Sequence, residues 1–321
     1  MIITRNMIDS AGSFLLSELE RLDPTIYRPL VSITWGRDIN VRTDVTMADE
    51  LSSFTQTSYS HVGHAGQGIN WASKINNTPK GGALDIGKTA TPLGQVEYEV
   101  GWNIVELLTS QQLGRPIDVE YLEQEMMKYQ MDTDKMVYVG DDSITYQGAA
   151  LTGLLNSDSK VATVTNVVNT GNWLAGGLTP SQILQNIQEA ERAVWAATGY
   201  TMSPYKIVLP PEHFAYLNSQ VVSQAGMESI LSYVKRNSLC MANNGVPLTI
   251  VPSKWLSTFG SVGDRRMVVY TNEKQFVRFP LVPLQRTPLE SRGTMQLTTY
   301  YGKLGAVEFP RAETVGYFDG I

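Results

Sequence analysis

Val96-Glu97-Tyr98-Glu99-Val100-Gly101-Trp102-Asn103-Ile104 places an apolar residue at every second position. That is the period of a strand with one face against a core. Upstream of it, Leu51 to Ser73 contains no Asp, Glu, Lys or Arg. An uncharged arm that leads back into a strict period-2 strand is unusual in an enzyme domain. It suits contact with a neighbouring subunit, because charges laid across another surface must first be desolvated. Gly63, Gly66 and Gly68 break any helix in the arm, and Thr78-Pro79-Lys80-Gly81-Gly82 makes a turn. An irregular excursion of this length is out of place in a compact monomer. In an oligomer, partners can stabilise it.

Upstream again, Phe14, Leu15, Leu19 and Leu22 give an amphipathic helix over Asp9 to Leu22, stopped at Asp23-Pro24. Ile33, Trp35 and Ile39 to Val45 suggest a strand. Downstream, Pro116 begins the clearest helix, with Asp118 and Glu120 at its positive end. Val119, Leu122, Met126 and Tyr129 make one apolar stripe. This helix is expected to fade between Gln130 and Lys135, giving way to a short strand, Met136 to Val139, closed by Gly140-Asp141.

From Leu151 onward strands and helices alternate. Thr179-Pro180-Ser181-Gln182 is a capping box for a helix through Ile183, Ile187, Ala190, Val194 and Ala197, ended by Gly199. Tyr205 to Leu209 is a buried strand, Pro210-Pro211-Glu212 begins a short helix, Met227 to Val234 is helical and Val246 to Val251 is a strand. Met267 to Tyr270 and Gln275 to Phe279 flank Thr271-Asn272-Glu273-Lys274 as a hairpin. Met295, Leu297, Thr299 and Tyr301 alternate, and the chain closes in strands at Val307 to Phe309 and Val315 to Tyr317.

Composition narrows the function. Charged residues make up only 17% of 321 residues, with 15 Tyr and 6 Trp. Low charge with abundant aromatics marks surfaces that end up against other protein. A net charge of −6 and a pI of about 5.2 give no overall basic character for nucleic-acid adhesion. Arg265-Arg266 and Lys235-Arg236 are too short for phosphate sites and are expected on solvated faces. The single cysteine, Cys240, excludes an internal disulfide framework and suits a reducing compartment. The amino end has no basic region followed by an apolar run, so no signal peptide is expected. No stretch is apolar enough to cross a bilayer.

Catalytic constellations do not emerge. His61 and His64 sit among glycines that forbid the firm helix of a paired-histidine metal site, and His213 opens a separate helix. Cys240 lacks the histidine base and electropositive setting of a nucleophile. The acid pairs Asp132/Asp134 and Asp141/Asp142 could hold a divalent ion, but adjacent acids in turns are commonly solvated caps. Gly63-His64-Ala65-Gly66-Gln67-Gly68 has the wrong spacing for a dinucleotide loop, and neither a Gly-Lys-Ser/Thr triplet nor a Gly-x-Ser-x-Gly elbow occurs. The expectation is therefore no catalytic, cofactor-binding or metal residues, no cofactor and no enzyme.

The order of elements resembles that of the major capsid proteins of tailed bacteriophages and prophages, an α+β fold (the Johnson fold) shared with encapsulin shells. The residues carrying the likeness are the strand Tyr98 to Ile104, the pair Leu107-Leu108, the helix from Pro116 to about Lys135, Tyr138-Val139-Gly140-Asp141, Gly153-Leu154-Leu155-Asn156, and the end from Gly305-Ala306-Val307-Glu308-Phe309-Pro310-Arg311-Ala312 to Phe318-Asp319-Gly320-Ile321. The resemblance implies an amino-terminal arm (1–40), an extension loop (41–100), a peripheral domain with a long spine helix (101–150 and 289–321) and an axial domain (151–288). It implies self-assembly into hexamers and pentamers of an icosahedral phage head enclosing double-stranded DNA, without sequence-specific contacts to that DNA. Scaffolding, portal and decoration proteins are the further partners it implies, with no membrane. The place would be the virion capsid, assembled in the host bacterial cytoplasm. No long charged helical segment precedes the arm, so the expectation is either a separate scaffolding protein or such a segment removed or never present. Some relatives crosslink a loop lysine to a neighbour; Lys74, Lys80 and Lys88 are available, but nothing singles one out and no crosslink is expected. The alternatives are a nanocompartment shell of the encapsulin type and, from a different class, an α/β enzyme.

Overall fold

The period-2 segment is the second half of a longer strand, and its pairing organises much of the chain. A computed structural model describes residues 29–321 except 62–81, 113–116, 147–148, 165–166, 168, 170, 175–176, 223–227 and 258–264. The chain divides into two units, Met1–Ser32 and Ile33–Ile321. Of the first, only 29–32 are described, without regular structure. The expected helix Asp9 to Leu22 lies outside the described residues.

The second unit opens with α1 (Trp35–Asp38), β1 (Asn40–Arg42), β2 (Leu51–His61) and β3 (Gly82–Asn103). Next come α2 (Ile104–Gln112), α3 (Ile117–Tyr138), β4 (Gly140–Tyr146), β5 (Ala149–Thr152) and β6 (Ala162–Val164). Helices and strands then alternate through α4 (Pro180–Ala197), β7 (Lys206–Leu209), α5 (Pro211–Ser219), α6 (Ile230–Arg236), α7 (Leu239–Asn244) and β8 (Thr249–Pro252). The chain ends in β9 (Arg266–Tyr270), β10 (Arg278–Arg286), β11 (Glu290–Arg292), β12 (Met295–Gly305) and β13 (Val315–Asp319).

Two sheets carry the architecture. The long sheet runs β1-β10-β12-β3-β2, with β11 also paired to β12. The middle sheet runs β6-β13-β9-β7-β8, and β4 and β5 form a separate pair. β13, the last strand, pairs antiparallel with β9 and parallel with β6. Residues 289–321 therefore do not travel together: β12 belongs to the long sheet and β13 to the middle one.

The middle sheet is buried on both faces, so its strands are nearly continuously apolar. Met267 and Val269 of β9 join Ile207, Leu209 and Ile250 in a core with Ile183, Ile187 and Val194 of α4. The intervening Val268 and Tyr270 face a second core with Val137 and Tyr138 of α3, Leu154, Leu155 and Phe279. The capping box holds as expected, with the Thr179 N–H donating to Gln182 Oε1 at 2.9 Å. Gly199 follows the helix in the left-handed conformation, φ +65°.

Several expectations require correction, among them the strand at Val307 to Phe309, where only Glu308 forms an isolated bridge to Arg278. Trp35–Asp38 is a helical turn rather than strand, because Asp134 Oδ1 accepts from the N–H groups of Thr34 and Trp35 at 2.9 and 3.1 Å and caps it. α3 does not fade before Lys135 but runs to Tyr138, so Met136 to Tyr138 are its buried last turn and not a strand. A short apolar run of that kind has no period that separates strand from buried helix. The segments Met267 to Tyr270 and Gln275 to Phe279 do not form a hairpin. β9 pairs with β7 and β13, whereas β10 pairs with β1 and β12, so the intervening turn carries the chain from one sheet to the other. Finally, the described part of the excursion after residue 50 is not irregular, while Gly63, Gly66, Gly68 and the expected turn at 78–81 lie outside the described residues. β2 pairs with β3 without a break from Leu51↔Pro92 to His61↔Gly82.

The Gly140 and Gly153 motifs explain how the spine helix stops. Gly140 has φ +79°, and a Cβ there would lie 1.9 Å from the Leu151 carbonyl oxygen. A Cβ on Gly153 would lie 2.3 Å from the Tyr138 carbonyl oxygen. That closeness lets Leu154 and Leu155 donate their N–H groups to the carbonyls of Val137 and Tyr138 at 2.7 and 3.0 Å. Asn156 Nδ2 donates to the Val139 carbonyl at 2.6 Å. Carbonyls that a helix end leaves unpaired are thus satisfied by Gly153-Leu154-Leu155-Asn156.

Candidate assembly surface

The ribbon formed by β2 and the first half of β3 is fastened at its base and bare further out. At the base, the fully buried carboxylate of Glu308 accepts from Arg42 Nη1 at 3.1 Å and from Arg278 Nε at 2.7 Å. The Ser52 hydroxyl donates to the same carboxylate. Arg42 Nη1 also donates to the Ser53 carbonyl at 3.0 Å, Lys303 Nζ to the Asp49 carbonyl at 2.8 Å, and Val45, Leu93 and Val282 bury a small apolar knot. Salt bridges buried in this way cost much to break, because a partner left alone is a desolvated charge.

Further out, one face of the ribbon is open to solvent. Leu84 and Ile86 are 57% and 60% exposed, and being two residues apart they lie on one face of the strand. Asp85 and Gly87 occupy the opposite face, which bounds a groove shared with Pro310 and Arg311. Gln56 Nε2 crosses that groove to donate to the Pro310 carbonyl.

A second apolar surface lies on the helices. Val105 and Leu108 of α2 are 63% and 56% exposed, and Val119 and Met126 of α3 are 42% exposed. The expected stripe on the spine helix is thus split lengthwise. Leu122 and Tyr129 pack inward while Val119 and Met126 stay open. A depression of about 570 Å³ runs beside them, lined by Val105, Thr109 and Ile117. No helix among the described residues is long and apolar enough to cross a membrane.

The candidate chemical residues are scattered. His213 is buried on α5 with its ring 5.5 Å from that of Trp173. Burial and then the neighbouring Arg265 hold its pKa down to about 4. Cys240 is buried on α7, its thiol pushed up by burial, 3.4 Å from Ser238 Oγ. Asp132 lies on α3 rather than in a turn, accepting from Tyr98 Oη at 2.8 Å and paired with Lys128. Asp134, one turn from the end of α3, is fully buried and also accepts from Trp255 Nε1 at 2.8 Å. Asp141 accepts from the Ser143 N–H at 2.9 Å on an exposed strand. His64, Lys74 and Lys80 lie outside the described residues, as does the side chain of His61. Lys88 is exposed on the ribbon opposite Thr55. Among the described residues no group of three or more His, Cys, Asp or Glu side chains is placed to hold a metal ion.

One basic pair is not the solvated face expected of it. Arg266 is only 2% exposed, with Nε 2.7 Å from Asp319 and Nη2 2.7 Å from Asp158. Its guanidinium lies 4.4 Å from the Tyr317 ring centroid. Arg265 pairs with Glu212 at 2.6 Å. Sequence reasoning also missed Glu308, whose partners are remote in sequence, and the exposed Leu84 and Ile86. The i, i+2 spacing of those two was the available signal.

A projecting ribbon locked at its root, and exposed apolar helices, are parts of a subunit whose surface is completed by other subunits. The family model of the major capsid protein matches residues 68–321. The chain belongs to the major capsid protein family. It is a structural subunit of a virion shell, self-associating, and not an enzyme. The capsid protein of a Myoviridae phage, XM1, shares its fold with a TM-score of 0.77 and 18% identity over 97% of this chain and 100% of that one. The protein from Gordonia phage Cozz aligns with a TM-score of 0.57 and 11% identity, covering 99% and 98% of the two chains. A capsid of an empty GTA particle gives a TM-score of 0.57 at 11% identity over 94% of each chain. No curated protein matches this capsid protein by sequence. The α+β tailed-phage capsid fold read from the element order is the fold present.

Proposed function

We propose that this capsid protein forms hexamers and pentamers that close into an icosahedral phage head around double-stranded DNA. The observation that carries the proposal is the contrast within the ribbon: a base held by Glu308, Arg42 and Arg278, and an outer part presenting Leu84 and Ile86 to solvent. In the shell this ribbon lies over a neighbouring subunit and covers the apolar surface of α2 and α3. Burying a side chain such as Leu84 or Ile86 contributes about 2 kcal/mol, so many copies of a modest contact hold the shell.

The proposed division of labour has an amino-terminal arm, an extension loop centred on the β2–β3 ribbon, a peripheral domain on α3 and the long sheet, and an axial domain on the middle sheet. The last of these takes in β13. Scaffolding, portal and decoration proteins are proposed as further partners, with assembly in the host bacterial cytoplasm. The packaged DNA would meet a chain of net charge −6, which suits a lumen that does not hold the genome by phosphate contacts.

The test is electron microscopy of the purified protein with sedimentation, for the natural sequence and for Leu84→Lys/Ile86→Lys. Shells built of five- and six-membered rings are expected from the first, and soluble, folded subunits without shells from the second. Unimpaired shells from the double variant would overturn the role given to the ribbon.

A further inference from the structure

The outer edge of β2 has a property that its neighbours lack. The Leu93 N–H donates to the Glu50 carbonyl at 3.0 Å, which sets the phase of the β2–β3 ladder. Pairs in an antiparallel ladder alternate between hydrogen-bonded and non-hydrogen-bonded. Ser52, Phe54 and Gln56 therefore turn their N–H and C=O groups toward β3, while Leu51, Ser53, Thr55 and Thr57 turn theirs outward. Pro92 lies opposite Leu51 in a non-bonded pair, where its missing N–H leaves no gap in the ladder. The outward Ser53 carbonyl is taken by Arg42. Among the described residues nothing meets the outward backbone groups of Thr55 and Thr57.

Free sheet edges are ordinarily protected by brevity, charge or proline. β1 is three residues long and ends in Arg42. β8 ends in Pro252, and β6 has three residues. β2 has 11 residues, Leu51–His61, with no charged residue and no proline. Along the face of the ribbon here runs a groove of about 590 Å³, lined by Thr55 and Thr57 of β2, Asp85 and Gly87 of β3, and Pro310 and Arg311. A long unprotected edge is an aggregation hazard in a monomer. In a shell of identical subunits, the surface brought beside it belongs to another copy.

We propose that the outer edge of β2 around Thr55 and Thr57 is completed by an extended segment of a second copy of this chain, which adds backbone hydrogen bonds to the sheet. The inference rests on the capsid reading above. It goes further in placing the contact on named backbone amides and not only on apolar side chains.

Residue-resolved amide hydrogen exchange on unassembled subunits and on closed shells tests it. The Thr55 and Thr57 amides are expected to exchange quickly in the free subunit and to slow by about tenfold or more in the shell, whereas Phe54 and Gln56 are protected in both. Thr57→Pro removes only an outward N–H, so it is expected to leave the subunit folded and abolish shells. Gln56→Pro, which removes a ladder N–H, is expected to unpair the ribbon itself. Shells in which Thr55 and Thr57 exchange as fast as in free subunits overturn the inference and leave the capsid reading intact, as do normal shells from Thr57→Pro. Protection that appears only when a different protein is added overturns the assignment to a second copy. Natural-sequence subunits that never form shells overturn both.

Discussion

Glu308 is 1% exposed and binds Arg42, a residue 266 positions earlier in the chain, at 3.1 Å. The contact joins the strand leading into the ribbon to the end of the chain, and Arg278 completes it from the long sheet. Glu308→Gln keeps the shape and an oxygen for the Ser52 hydroxyl but removes the charge that both guanidiniums face. Arg42 and Arg278 retain some solvent access, so the loss should fall near the low end for a broken buried pair, about 3 kcal/mol. Urea denaturation of the unassembled subunit measures it, and an unchanged midpoint would show that the pair does not hold the ribbon base.

Arg266 supports a second long-range junction, between β9 and β13. Its guanidinium binds Asp319 through Nε and Nη2, Asp158 through Nη2 and the Leu155 carbonyl through Nη1 at 2.6 Å. Lysine offers a point charge and no planar fork, so Arg266→Lys should lose about 2–4 kcal/mol despite conserving charge. A double-mutant cycle with Asp319→Asn would return a coupling near zero if the two side chains acted independently.

Two glycines, Gly153 and Gly87, differ by what surrounds them. A Cβ at Gly153 meets the Tyr138 carbonyl oxygen at 2.3 Å, while a Cβ at Gly87 on the ribbon meets nothing within 4 Å. Gly153→Ala should therefore cost on the order of 1–3 kcal/mol by pushing the turn off the end of α3. Gly87→Ala should stay within about 0.5 kcal/mol of the parent. Thermal unfolding of the two variants side by side decides the point, and equal effects would remove the capping role assigned to Gly153.

What the sequence disclosed followed period and punctuation. β3 and β12 alternate, α4 carries its capping box, and the order of elements led to the capsid fold. What stayed hidden needed partners far along the chain. Met136 to Tyr138 is too short to show a period, and the packing of Val137 and Tyr138 in the core with Val268 and Tyr270 is not visible locally. Thr271 to Lys274 has the composition of a hairpin turn, and nothing local shows that the strands on either side enter different sheets. The ribbon's first strand, Leu51–His61, is mostly Ser, Thr and Gln, so no core face announces it. Asp38 is buried against Lys206 Nζ at 3.1 Å, with the Tyr138 hydroxyl donating to it. As acids in a sequence, Asp38, Asp134 and Glu308 look no different from solvated ones.

Glu191 makes the stability of the middle region depend on pH. It lies on α4, 2% exposed, and accepts from the Leu239 N–H at the start of α7 at 3.1 Å. Burial raises its pKa to about 7, against the smaller opposing pull of that N–H. Its folded pKa thus lies above the unfolded value of about 4.3, and the folded state holds the proton more tightly. Stability from this group is complete below the unfolded pKa and falls as pH rises toward 7, levelling above it. Each tenfold difference in proton affinity between the folded and unfolded states is worth about 1.4 kcal/mol, so the fall is on the order of 4 kcal/mol. Glu191→Gln keeps an acceptor for Leu239 and cannot ionise, so it should flatten the profile between about pH 4.5 and 7 and stabilise the subunit at about pH 8. Denaturation midpoints for both proteins across that range provide the check, and parallel pH profiles would show that Glu191 does not titrate on folding.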